Sequence, residues 1–572
     1  MRSLLYLFLI ATSSQLTAQE TLSPQAKLYE LFEQEAAYKN PQKGEFFQDV
    51  SIATQAKEAV LWQDLLDQLE QLPKSKLTKA DQINYDVFKF NLENRVAEHQ
   101  FEVYLIPFNA EGGFYNTLTF RLNRFEFDKL EDYDTYLNLL RAFPKYMQDN
   151  VELLKVGIEK GITVPKIVAA NYEPLIKPYL QTSLEKHFLY EPFLAIPEDW
   201  PNRAVLQGQG RQVLQELILP AYRDFDRFMS QKYLPAAKER IGISAIPNGK
   251  AYYEHRVRFF TTLDMSPEEV FQTGEQEVAR IKAEMEAIIK EVKFEGSFAD
   301  FLEFLRTDPQ FYHTEGRELL KEAAYYSKKI DGQLPSYFGK MPRLPYGVQP
   351  VPATIAPNYT AGRYSPGNAR TNRAGNYWVN LFKLRSRPLY ALPALTLHEA
   401  VPGHHLQIAL ADEMEGQPDF RRSTYISAFG EGWALYCEWL GVEMGIYETP
   451  YEHFGRLTYE MWRACRLVVD VGMHYKGWSR QRALDFLSQN TALSIHECNT
   501  EIDRYIGWPG QAVSYKIGEL KIRALRQKAA AALGEEFNIR DFHDRILANG
   551  SIPLFVLEAE IDELIAAQKT GR

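Results

Sequence analysis

The sequence is short of several things, and each shortage excludes something. Of 572 residues only three are cysteines, Cys437, Cys465 and Cys498. Three thiols cannot all pair within one chain, so the fold does not rest on a disulfide framework, and each cysteine reads as a small core residue. Past the N-terminus no apolar run reaches the length of about eighteen residues that a membrane-spanning helix needs. There is no Lys- or Arg-rich run, and the formal net charge is −10. Nucleic-acid binding needs a basic face, so no nucleic-acid partner is expected. Internal repeats and low-complexity linkers are also missing.

The first residues have a distinct layout. Met1-Arg2 gives a short positive start, Leu4–Ala11 is mostly apolar, and Leu16-Thr17-Ala18 ends on a small residue. This is the pattern of a secretory signal peptide, residues 1–18, with cleavage near Ala18. The mature protein is therefore expected to be periplasmic or secreted. No cysteine lies near the cleavage point to carry a lipid.

Hydrophobic residues make up 45% of the chain, an ordinary globular share that can fill a large core. Most of the mature chain reads as helix. Ser266-Pro267-Glu268-Glu269 combines an N-cap, a proline suited to the first turn and a capping-box glutamate. Val270, Val278, Ile281, Met285, Ile288 and Ile289 follow at near-helical spacing. Residues 132–156 and 204–234 also read as helical, with interruptions expected at Pro144 and near Pro220. The proline-rich stretch 332–375 reads as irregular chain, and Tyr377–Leu381 as a short strand. The length divides into an N-terminal helical region, 19–250, and a region carrying the chemistry, 251–572, whose halves can interleave.

The chemistry centres on Leu397-His398-Glu399-Ala400-Val401-Pro402-Gly403-His404-His405. It begins like the zinc motif H-E-x-x-H, in which two histidines one helical turn apart bind one ion and the glutamate activates water. Here the fourth position after His398 is Pro402, and the histidines come six and seven residues on. On a regular helix the sixth residue lies about 120° around and roughly 9 Å along the axis, too far to share an ion with His398. Pro402 cannot donate to the carbonyl of His398, and Gly403 adds freedom. A break there would bring His404 back beside His398, with His405 as the alternate.

Catalytic zinc usually keeps three protein ligands. Glu431, in Gly430-Glu431-Gly432-Trp433, starts an apolar helix where an inward carboxylate needs a partner. Glu438, two turns on, reads as a further ligand or as a group holding a histidine. The segments HEAVPGHHLQ, GEGWALYCE and RYIGWPGQAVSYKIG together resemble the bacterial domain-of-unknown-function 885 family, which itself resembles the gluzincin zinc metallopeptidases. The resemblance spans most of the mature chain. It implies a mainly α, metallopeptidase-like fold with a small β-sheet beside the zinc-binding helix. It also implies one zinc per chain on His398, His404 and Glu431, with Glu399 as base.

Peptide hydrolysis also needs a donor for the developing oxyanion. Tyr505 and Tyr515 are the candidates, with Gln511 and Lys516 beside them as substrate contacts. Arg466, Asp470 and His474 recur on one helix face. They read either as an internal ion-pair stripe or as support for the site and a clamp on a substrate carboxylate. Asn376, Tyr377 and Asn380 would bind an extended peptide if their strand lay at a sheet edge. The expected function is peptide-bond hydrolysis by a zinc-dependent enzyme. The rivals are a metal hydrolase of non-peptide amides or esters, and a non-catalytic extracytoplasmic binding protein on the same scaffold.

Overall fold

The computed structural model describes residues 22–39, 45–109, 112–122, 125–353 and 355–570. The expected signal peptide lies outside them. The fold is mainly α, with two small sheets. No helix among the described residues is long and apolar enough to cross a membrane.

Nine helices and three strands matter for the site. The helices are α1 (Lys79–Gln100), α2 (Leu130–Lys160), α3 (Pro267–Glu291), α4 (Leu392–Glu399), α5 (His404–Asp412), α6 (Ser427–Glu443), α7 (Pro450–His474), α8 (Ile495–Gly507) and α9 (Ser514–Leu533). The strands are β1 (Tyr346–Pro350), β2 (Gly362–Ser365) and β3 (Gly375–Val379). The capping box of α3 is formed: Ser266 N donates to Glu269 Oε2 at 2.8 Å, and Glu269 N donates to Ser266 Oγ at 3.2 Å.

Helices α6 and α7 are buried on nearly every face, as a helix inside a large protein must be. α7 packs along α3, and α6 along α9. The α6–α9 crossing is closest where Gly432 meets Gly518. A Cβ on Gly432 would lie 2.6 Å from the Gly518 Cα, so only glycine lets the two backbones approach this closely. The hydrophobic core includes the N-terminal helices: Phe88 of α1 packs on Phe32 and Phe420 with ring centroids 4.9 and 5.2 Å apart. Arg421 Nη1 donates to Asn84 Oδ1 at 2.8 Å. Residue 250 falls inside the helix Gly249–Thr261.

The prolines interrupt less than expected. Pro144 sits inside α2 without ending it. Around residues 203–236, π-helical turns at Leu214–Ile218 and Met229–Tyr233 each come just ahead of a proline, Pro220 and Pro235. The wider turn absorbs the missing N–H donor, and the helix continues.

The stretch expected to be irregular supplies β1 and β2. The sheet order is β1-β3-β2, with β1 parallel and β2 antiparallel to β3. The strand expected at an edge, β3, is therefore central, and the outer edge of β2 has no strand partner among the described residues. Tyr377 is fully buried. Asn380 Nδ2 donates to the carbonyls of Ala356, Tyr359 and Thr360 at 2.9–3.0 Å. Both build the sheet and its loop instead of facing a substrate. Asn376 is half-buried at the start of β3. Lys516 is likewise corrected: it is fully buried on α9, 2.7–3.0 Å from Glu277, Glu460 and Glu519. A buried ammonium needs such partners, and they leave it no substrate.

Gly432→Val should lower stability by about 1–3 kcal/mol, the usual cost of overpacking a filled contact. Urea denaturation checks this, and an unchanged midpoint would contradict the close helix crossing.

Candidate metal centre

Helix α4 ends at Glu399 and α5 begins at His404. Between them the backbone leaves helical geometry at Ala400 (φ −91°, ψ −114°) and at Gly403 (φ −70°, ψ −129°). His405 N donates to Ala400 O at 3.0 Å across the break. The loop folds tightly back on α4: a Cβ on Gly403 would lie 1.9 Å from His398 O and 2.4 Å from Leu397 O. Trp433 Nε1 donates to Pro402 O at 2.8 Å. That bond ties the loop to α6, two residues from Glu431.

The break returns His404 to His398. Their rings stand nearly perpendicular, with centroids 4.9 Å apart. One ligating atom from each of His398, His404 and Glu431 lies within 4.8 Å of the others. Glu431 Oε2 is 3.5 Å from His398 Nε2 and 3.4 Å from His404 Nε2. Donors on a tetrahedral zinc, at metal distances of roughly 2.0–2.1 Å, lie about 3.3 Å apart. The three side chains therefore fit a zinc ion in kind and in spacing.

Neighbouring groups orient the set. His398 Nδ1 pairs with Glu438 Oε1 at 2.8 Å, leaving Nε2 toward Glu431. Glu438 thus holds a candidate ligand in the way that second partners orient metal-binding histidines. Burial works against a charge on His398, but its hydrogen bonds to Glu431 and Glu438 outweigh it and push the imidazole pKa up to about 9. Burial also opposes ionisation of Glu431, yet the charges of His404 and His398 hold its carboxyl well below the usual range. The buried Nδ1 of His404 has no hydrogen-bond partner among the described residues.

His405 turns away. Its Nδ1 meets Tyr364 Oη at 3.0 Å, its ring packs 4.6 Å from that of Tyr346, and burial pushes its pKa down to about 4. Glu399 stays out of the ligand set. Its Oε2 accepts the backbone N–H of Tyr364 at 2.7 Å, and that N–H points out of the outer edge of β2.

Sequence reasoning missed Tyr425. The residue is 49% exposed, but its hydroxyl turns inward to donate to Glu431 Oε1 at 3.0 Å, and desolvation there with the nearby Glu431 charge raises its pKa. A Cβ on Gly430 would sit 2.6 Å from that hydroxyl, so the glycine before Glu431 was the available signal. Arg363 on β2 was also missed; it lies within electrostatic reach of Glu399 and Glu431.

The two expected donor tyrosines separate. Tyr505 is buried, and its hydroxyl accepts from Trp462 Nε1 at 2.8 Å and from Arg466 Nε at 2.7 Å. It is committed to that network and has no free face for a substrate. Tyr515 is half-buried, under the Arg466 guanidinium at 4.2 Å. Among the described residues its hydroxyl accepts a single long bond, 3.4 Å, from Gln511 Nε2, while Gln511 Oε1 accepts from Arg504 at 2.9 Å.

The Arg466–Asp470–His474 stripe is largely structural. Asp470 accepts from Tyr253 Oη at 2.6 Å and Gly510 N at 3.0 Å. His474 accepts from Ile243 N at 3.1 Å and donates to Tyr505 O at 3.0 Å. Arg466 pairs with Glu501 at 3.1 Å.

A mainly helical chain with a His-His-Glu cluster of two buried histidines and a half-buried glutamate is the class that the fold and site define. Residues 37–561 match the family described as "Bacterial protein of unknown function (DUF885)", and the chain belongs to that family. It is similar to a crystal structure described as a "putative lipoprotein" from Colwellia psychrerythraea, with 27% identity, a TM-score of 0.86, and 95% of this chain and 100% of that one covered. A "putative lipoprotein of unknown function" from Shewanella oneidensis shares the fold at 16% identity and a TM-score of 0.71, over 94% of this chain and 99% of that one. No curated protein matches the chain.

His404→Ala should abolish high-affinity zinc uptake, whereas His405→Ala should retain it. Glu438→Gln should weaken zinc binding about 10- to 100-fold. Titration against a competing chelator checks all three, and zinc retained by His404→Ala would remove it from the ligand set.

Proposed function

We propose that this protein is a zinc-dependent hydrolase of peptide bonds. The observation that carries the reading is the placement of Glu399. It is adjacent in sequence to His398, yet its carboxylate is fixed by a backbone N–H from the outer edge of β2 and not by the ligand set. A carboxylate held beside a metal site but outside it is what a general base requires.

When bound by His398, His404 and Glu431, zinc supplies Lewis acidity toward a carbonyl and acidifies water. With Oε2 held by Tyr364, Glu399 keeps Oε1 to take a proton from water and pass it to the departing amine. The edge of β2 offers backbone groups to an extended substrate, as sheet edges do when they add a peptide strand. Tyr515, with its hydroxyl only weakly engaged, and Tyr425, beside Glu431, are the phenols available to steady an oxyanion.

The N-terminal leader and the lipoprotein descriptions of both similar structures support a site of action outside the cytoplasm. Gluzincin-like chemistry on this scaffold rests on the His-Glu pair and the later glutamate, not on an H-E-x-x-H spacing.

Glu399→Gln should keep zinc at the wild-type stoichiometry and lose turnover by about 10²-fold or more, the range for a removed proton-transfer group. A peptide library with mass-spectrometric readout checks it. Undiminished turnover by the zinc-loaded variant would reject the role.

A further inference from the structure

A cavity of about 60 Å³ is lined in part by α4, the helix that leads into the candidate metal centre. Its apolar wall includes Leu319, Val379, Leu392, Leu395 and Leu493. Leu392 and Leu395 belong to α4, the helix that ends in His398-Glu399. Leu395 precedes His398 by three residues, roughly 4.5 Å along the axis. Ala361 also lines the cavity, directly ahead of β2. From there the Tyr364 N–H that holds Glu399 lies about three extended residues away, roughly 10 Å.

The charged groups in the lining are unbalanced. They are Arg306, Arg385 and Arg387 against one acid, Glu497. Arg306 is built into the wall, donating to the carbonyls of Leu493, Ser488 and Thr491 at 2.6–2.9 Å. Arg387 is half-buried and uses Nε and Nη1 on the carbonyls of Asn380 and Ser386, at 3.3 and 3.1 Å. Arg385 is exposed at the rim. Neither Arg385 nor Arg387 is ion-paired to a carboxylate among the described residues. Burial pushes the Glu497 carboxyl up to about 7, which weakens the one charge that would repel an anion.

We propose that this cavity receives the C-terminal residue of a substrate, its apolar side chain against the leucines and its free α-carboxylate between Arg385 and Arg387. Guanidinium pairs recognise carboxylates through charge-assisted, often bidentate hydrogen bonds. A peptide anchored there along the β2 edge presents to Glu399 a bond within about three residues of its C-terminus. The chain then acts from the C-terminus instead of cutting internally. The cleavage part of this inference rests on the hydrolase reading; the binding part does not.

The test separates the two. Binding of N-acetyl-leucine and N-acetyl-leucinamide to the full-length Glu399→Gln protein is measured by calorimetry. Hydrolysis by the wild type is compared on one peptide with a C-terminal acid and with a C-terminal amide. We expect the acid to bind about tenfold to hundredfold more tightly than the amide, as charge-assisted bonds give. Wild-type hydrolysis should prefer the acid by a similar factor. Arg385→Ala, at an exposed position that leaves the fold intact, and Arg387→Leu should each cut the preference toward unity. Equal binding of acid and amide, or a preference unmoved by Arg385→Ala, overturns the pocket assignment even if both peptides are hydrolysed. Selective binding of the acid without hydrolysis of either peptide keeps the pocket and overturns the hydrolase.

Discussion

The site depends on one backbone break. A histidine six residues after another cannot share its ion on a continuous helix, because rise and rotation carry it away. Between Ala400 and Gly403 the chain leaves the helix, folds back until Gly403 touches the carbonyls of His398 and Leu397, and restarts at His404. The contact is too close for any side chain. Trp433 then clamps the fold-back through Pro402 O. Because Trp433 and Glu431 share α6, the hydrogen bond that closes the loop also sets the distance of the third donor. The three donors are positioned together, not independently.

That arrangement is held by packing further out. α6 carries Glu431 and Glu438 and is set against α9 by the Gly432–Gly518 contact. Glu438 turns His398, and Tyr425 crosses Gly430 to reach the other oxygen of Glu431. The charges on and around α7 follow a different logic. Lys516 is paired internally with Glu277, Glu460 and Glu519, and Asp470 Oδ2 accepts from Tyr253 and Gly510. They fix helices and loops. A buried charge whose partners all lie inside the protein has little left for a substrate. The Arg385–Arg387 cavity differs because neither of these two arginines is ion-paired to a carboxylate among the described residues.

Much of this was legible in the sequence, and the boundary has physical causes. The helical class and the capping box of α3 follow from periodicity and capping chemistry, and the grouping of His398, His404 and Glu431 from the density of metal-binding side chain types. His404 is preferred over His405 in the sequence, but nothing local fixes how far the chain rotates through a four-residue break; the structure brings His404 beside His398 and turns His405 toward Tyr364. The sheet was misread for a topological reason: nothing local in Tyr377–Leu381 says whether a strand has one neighbour or two, and β1 and β2 hide in a proline-rich stretch. Tyr505 and Lys516 looked functional because they are polar within apolar surroundings, and Asp470 and His474 could be read as an internal ion-pair stripe or as support for the site. Their partners, such as Tyr253 and Glu277, lie about two hundred residues away in sequence. Tyr425 was overlooked because a tyrosine six residues before Glu431, and ahead of its helix, has no fixed helical relation to it.

The most direct test of the central claim is X-ray absorption at the zinc edge on the purified mature protein. The account predicts one zinc per chain, with two imidazole nitrogens and carboxylate or water oxygens at about 2.0–2.1 Å, and loss of the imidazole signal in His398→Ala. A zinc without imidazole ligands, or no bound zinc after metal addition, would contradict it.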